Sequence, residues 1–108
     1  MYVAVDLDAE PVTVVLAEAS DCRRFHVAVR GAGDAAGLDD ALHAHDAGAI
    51  DGDGEALVRV AAVRRLAGAP GGAWEVEFAA MLDYARTKGW LSEDGEEIRA
   101  HVEWEASR

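Results

Sequence analysis

One cysteine, one lysine, two prolines and two phenylalanines stand among 108 residues, and each shortage excludes something. The lone Cys22 leaves no partner for an intrachain disulfide and no thiolate cluster for a metal. Ten lysines and arginines face 21 aspartates and glutamates, a net charge of −11. Such a surface repels phosphate backbones and anionic lipids, so neither nucleic acid nor membrane is expected as a partner. No apolar run approaches the roughly 20 residues of a membrane-spanning helix. Met1 leads directly into a strand-like pattern without a basic start, so no signal peptide is expected and the expected compartment is the cytoplasm. Nine arginines against one lysine, with 23 alanines, match the coding bias of a high-G+C bacterial genome.

Large apolar side chains are scarce too. Hydrophobic residues make up 51% of the chain, but Leu, Ile, Val and Phe together number only 24. That is little above the roughly 20% at which a highly charged chain stays disordered. The length suits a single domain over residues 1–108. Its lean core would gain from a protein partner or a second copy of itself, and a homodimer is expected.

What bulk there is concentrates between Trp74 and Trp90. Trp74, Phe78, Met81, Leu82 and Ala85 recur at helical spacing, while Glu75, Glu77, Asp83, Arg86 and Lys88 fall mostly elsewhere. Gly71-Gly72 opens this helix and Gly89 closes it. A glycine after the last helical residue, followed by an apolar one, predicts a Schellman cap with Gly89 left-handed and Trp90 folded back.

The remaining elements are shorter. Tyr2–Leu7, Val12–Ala17 and Phe25–Arg30 alternate as strands, separated by the turns Asp8-Ala9-Glu10-Pro11 and Ser20-Asp21-Cys22, and suggest an antiparallel meander. A helix follows the loop Gly31–Gly37, with Leu38, Ala41, Leu42 and His45 on one face, Asp34 as its cap and Gly48 at its end. Glu55–Ala67 reads better as a strand over Ala56–Val60 and a short helix over Ala61–Ala67 than as one helix. Gly48–Leu57 echoes Gly89–Ile98 at an offset of 41 residues. Both copies read as helix exit, apolar residue, Asp-Gly turn and new apolar element. By analogy Ile98, Ala100, Val102 and Trp104 form a strand, against the rival of a helix capped by Asp94 with Glu97 in its first turn. The predicted fold is α+β: an antiparallel sheet of four or five strands packed against two main helices and one short helix.

Four features invite a chemical reading. Gly31-Ala32-Gly33-Asp34-Ala35-Ala36 satisfies the dinucleotide fingerprint in its alanine-ending form, with Asp51 and Asp53 at the distance of a ribose ligand. The antiparallel context, the short chain and the negative Asp34 oppose it, and no cofactor is expected. His43 and His45 are two apart on a helix, about 200° apart, so they cannot share one ion. His45 belongs with the apolar face and His43 pairs with Asp39 on the surface. Asp51 and Asp53 resemble part of a calcium loop, but Ala56 and Ala62 replace its essential glycine and glutamate, so no metal is expected. Trp90, Arg99, His101 and Trp104 remain as candidate ligand or partner contacts. Arg99 and His101 share one strand face, and Trp104 on the other suits a core lid. Cys22 at a turn lacks an activating neighbour and reads as incidental.

No arrangement of these residues compels an enzyme. The sequence favours a small non-enzymatic module that binds a protein partner or itself. The alternative is a compact enzyme or ligand-binding protein with a histidine-containing pocket built on His101 or His45.

Overall fold

A computed structural model of the protein describes residues 1–68 and 70–105. Six strands and three helices follow one another as β1 (Tyr2–Asp6), β2 (Thr13–Ala17), β3 (His26–Arg30), α1 (Ala35–Ala44), β4 (Gly48–Ile50), β5 (Ala56–Arg59), α2 (Val60–Ala67), α3 (Gly72–Thr87) and β6 (Glu97–Trp104). The expected segments are all present: three N-terminal strands, a strand and short helix at 56–67, the long helix, and a strand rather than a helix over 97–104. Asp34 caps α1 as expected, its carboxylate accepting from Gly37 N–H at 2.9 Å.

The sheet differs from the antiparallel one of four or five strands that the sequence suggests. It is a single mixed sheet of six strands in the order β2-β1-β3-β6-β5-β4, strongly curled into a half-barrel. β2 pairs antiparallel with β1, but β3 crosses to the far side of β1 and runs parallel to it, with Val3 opposite Val27 and Val5 opposite Val29. β6 is parallel to β3 and antiparallel to β5, which is antiparallel to β4. The physical reason is the link between β2 and β3. Glu18–Phe25 is long enough to pass across β1, and alternation of side chains says which face a strand buries but not which neighbour it takes. β4 escaped notice because three residues carry no readable period.

Each half of β6 serves a different partner. Glu97–Ala100 lies along β5, and His101–Trp104 lies along β3. All the inward side chains share one face: Val3, Val5, Val14, Val27, Val29, Ala56, Val58, Ile98, Ala100 and Val102 are buried. Against them pack Leu38, Ala41 and Leu42 of α1, Val60, Ala62 and Val63 of α2, and Trp74, Phe78, Met81 and Ala85 of α3. Phe78 is fully buried and stacks on Trp74 at 4.7 Å, so the long helix holds the bulk of the core as its spacing predicts. The opposite face stays open, with Val15, Arg30, His101 and Glu103 exposed.

The C-terminal ends of α3 and α1 are set by hydrogen bonds that the sequence reading places correctly in the first and misplaces in the second. At the end of α3, Trp90 N–H donates to Ala85 O at 2.9 Å and Gly89 N–H to Arg86 O at 3.1 Å, with Gly89 at φ 77°. This is the Schellman arrangement. α1 ends in the same pattern two residues earlier than expected: Ala47 N–H reaches Leu42 O, Asp46 N–H reaches His43 O, and Asp46 holds φ 53°. Gly48 therefore does not cap α1. It opens β4, where a Cβ would stand 2.0 Å from Leu57 O, so only glycine lets β4 approach β5. The echo survives in its turns: Gly54 N–H donates to Asp51 O and Gly95 N–H to Ser92 O, both glycines at positive φ and 41 residues apart.

Among the described residues, no helix is long and apolar enough to cross a membrane.

Candidate functional site

A groove opens where β6 changes partner. On the side facing β3, His101 pairs with His26, but the stretch just before it is met by the chain leaving α3: Leu91 bridges Ile98 and Arg99 N–H donates to Trp90 O at 2.6 Å. Between the start of β3 and this returning segment the sheet is interrupted. An open groove of about 950 Å³ occupies the interruption.

Three elements wall the groove. The β2–β3 link contributes Cys22, Arg23, Arg24 and Phe25; α3 contributes Glu77, Met81 and Tyr84; Trp90, Ile98 and Arg99 close the third side. The link is pinned near the start of α3, where Trp74 Nε1–H donates to Ala19 O at 2.7 Å. Two of the wall residues are exposed aromatics: Tyr84 is 57% exposed and Trp90 44%, and they meet edge to face at 6.0 Å. The Schellman turn at Gly89 is what brings Trp90 back toward Tyr84. Lys88, in the same turn, sets its ammonium 5.5 Å above the Tyr84 ring.

Charges around the groove are mostly committed. Arg23 Nε donates to Asp21 at 3.0 Å, and this bond, with help from the charge itself, holds the Asp21 carboxyl below its usual range. Arg99 reaches across β5 to the β4–β5 turn, where Asp51 and Glu55 accept from its guanidinium. Partial burial acts to raise the Asp51 pKa, but donation from Asp53 N–H and Glu55 N–H, with Arg99 beside it, leaves it lowered. Hydrogen bonding to Glu55 and the charge of Asp51 raise Arg99 in return. Burial pushes the Cys22 thiol up, with Glu77 adding to the effect, so the thiol stays protonated.

The four residues singled out in the sequence are divided by the fold. Trp90 and Arg99 meet in the groove. His101 is exposed on the open face of the sheet, sharing that face with Arg99 as expected and sitting beside His26. His26 stacks on Tyr2 at 5.0 Å and lies 3.6 Å from a Glu103 carboxylate oxygen. Trp104 ends β6 opposite Val29 and remains 46% exposed, so it does not serve as the core lid suggested for it. Sequence reasoning missed Phe25, Met81 and Tyr84 as groove residues. A signal for part of this was present. Glu77, Ala80, Met81 and Tyr84 repeat at i, i+3, i+4 and i+7, a second face of α3 adjoining the buried one and sharing Met81 with it.

The other candidate sites resolve into structural roles. In the glycine-rich loop before α1, a Cβ on Gly31 would meet Asp8 at 2.7 Å and one on Gly33 would meet Leu7 at 2.5 Å. Asp8 also accepts from Ala32 N–H at 3.0 Å, and Asp34 occupies the N-terminus of α1. The glycines make room for the β1–β2 turn. The antiparallel context invoked against a nucleotide is wrong, since β1 and β3 are parallel, yet the space around the loop is taken by Leu7, Asp8 and Asp34. His45 is half-buried with Nε2 2.9 Å from Val12 O, and His43 lies 3.5 Å from Asp39. Among the described residues, no three His, Cys, Asp or Glu side chains are placed to hold a metal ion together.

Comparison of the chain with protein-family models, with curated proteins and with solved structures finds no match.

Proposed function

We propose that this chain is a small cytoplasmic bacterial binding module, not an enzyme, and that the groove between the β2–β3 link and α3 takes an apolar segment of a protein partner. The observation that carries this is the groove itself: open, walled by Phe25, Met81, Tyr84 and Trp90, with two aromatic rings left half-exposed at its edge. Rigid aromatic side chains beside a buried floor are the usual anchors of a protein interface, because they offer large contact area at little entropic cost. The chemistry lining the groove supports binding more than catalysis. Its thiol is held protonated, and Arg99 is tied to two carboxylates. The alternative of a histidine-containing pocket on His101 or His45 has less support, since neither histidine lines the groove.

A homodimer is the second reading, favoured by the exposure of Trp90 and Trp104 in one chain with so few other large apolar residues.

Selection of random displayed peptides on the wild-type protein tests the groove. Enriched peptides are expected to lose about tenfold or more in affinity for Tyr84→Ala and Trp90→Ala, the size of loss that marks an interface anchor. Both side chains are exposed, so circular dichroism of each variant should match the wild type. Peptides that bind both variants unchanged, or no enrichment at all, would refute the assignment.

A further inference from the structure

We infer that the segment this groove takes is acidic as well as apolar: it seats a large apolar side chain among Phe25, Met81, Tyr84 and Trp90 and sets a carboxylate beside the guanidinium of Arg24. This presupposes that the groove is the binding site.

The reason lies in where the few cations are. The chain as a whole has 21 acidic and 10 basic side chains. The groove is more evenly charged, with Arg23, Arg24 and Arg99 against Asp21 and Glu77 in its lining. Arg23 and Arg99 are neutralised by Asp21, Asp51 and Glu55. Among the described residues, no carboxylate pairs with Arg24. It is exposed, at the start of the aromatic wall, next to Phe25.

Its backbone is also fixed. Arg24 holds φ 53°, a left-handed conformation uncommon for a residue with a Cβ, and its carbonyl oxygen accepts from the His26 ring Nδ1–H at 2.8 Å. The groove thus joins apolar surface to one uncommitted guanidinium, Arg24, and one uncommitted carboxylate, Glu77, in a protein that is strongly negative overall. Complementary charge at the rim of an apolar site selects among partners more than it adds affinity. The overall charge of −11 repels any acidic partner at long range, so what distinguishes this site is discrimination between peptides that differ only in charge.

Three pools of synthetic nonapeptides test the inference by fluorescence anisotropy. Each has Phe, Leu, Met or Trp at random in its central positions, flanked by Glu in one pool, Gln in the second and Lys in the third. The Glu pool is expected to bind wild-type protein about fivefold more tightly than the Lys pool, as expected for an exposed charge pair. Arg24→Gln should remove most of that preference and Arg24→Glu should reverse it, with Phe25, Tyr84 and Trp90 intact. Equal binding of the three pools, lost on Trp90→Ala, would overturn the acidic partner and leave the groove standing. Tighter binding of the Lys pool would overturn it in the same way. No binding of any pool at millimolar concentration would overturn both.

Discussion

Replacing Gly89 with alanine probes the turn that ends α3 and delivers Trp90 to the groove. Gly89 sits at φ 77°, and nothing lies within 4 Å of where a Cβ would go. The substitution therefore meets no clash, and its whole cost is the left-handed conformation imposed on an L-residue, about 1 kcal/mol. Both Schellman hydrogen bonds can persist. Urea unfolding followed by tryptophan fluorescence should show a lower midpoint with an unchanged slope, and the melting temperature should drop by about 4 °C. Gly89→Asn should recover part of the loss, because asparagine tolerates this conformation better than alanine does. Gly48→Ala supplies the contrast. Its Cβ would stand 2.0 Å from Leu57 O, so the β4–β5 hairpin must open, and the cost should be at least twice that of Gly89→Ala. A Gly89→Ala protein as stable as the wild type would show that the left-handed turn does not form and that Trp90 is not held as described.

Phe78→Ala, which empties the best-buried aromatic site, should cost about 3–5 kcal/mol in the same assay, and a loss under 1 kcal/mol would mean that α3 does not pack through that face. Asp21, Asp51 and Asp94 all have lowered pKa values, Asp94 chiefly through the Ser92 hydroxyl, so they bind fewer protons folded than unfolded. The stability they give is present above the unfolded value near ~3.9 and is lost as the pH falls through their folded values. The urea midpoint should then be level near neutrality and fall in acid, less steeply in Arg99→Gln; a level profile into strong acid would contradict the ion pairs. Because burial raises Cys22, a thiol reagent at mildly alkaline pH should label the native protein more slowly than the urea-unfolded one, and equal rates would contradict that burial. Self-association, if it occurs, should strengthen with ionic strength, since two chains at −11 repel each other; light scattering that gives a monomer at every salt concentration would remove the dimer.

Local structure was legible in the sequence because short-range physics sets it. The 3–4 spacing of Trp74, Phe78, Met81 and Ala85 names the buried face of α3, Asp34 caps α1, and alternation marks β1, β3 and β6. Strand neighbours were not legible. Whether Val3 lies beside Val27 or at a meander's edge depends on how residues 18–25 cross β1, and no side-chain period records that. The same limit split the candidate site. Trp90 and Arg99 are joined through a bridge near Ile98, while His101, two residues past Arg99, falls beside β3 on the open face. The groove's other wall, Arg24 and Phe25, comes from a link about 65 residues upstream of Trp90, and only the fold brings it there. Gly48 and Asp46 teach a smaller lesson: asparagine and aspartate can hold a left-handed cap, so the nearest glycine is not always the stop.

The most direct test of the account is chemical-shift mapping of the isotope-labelled protein with a peptide drawn from the display selection. If the groove is the binding site, the shifts that move will cluster at Arg24, Phe25, Met81, Tyr84, Ala85 and the Trp90 indole, with those of Val15, Arg30 and Glu103 on the open sheet face unmoved. Shifts confined to the open sheet face, with Tyr84 and Trp90 silent, would contradict it.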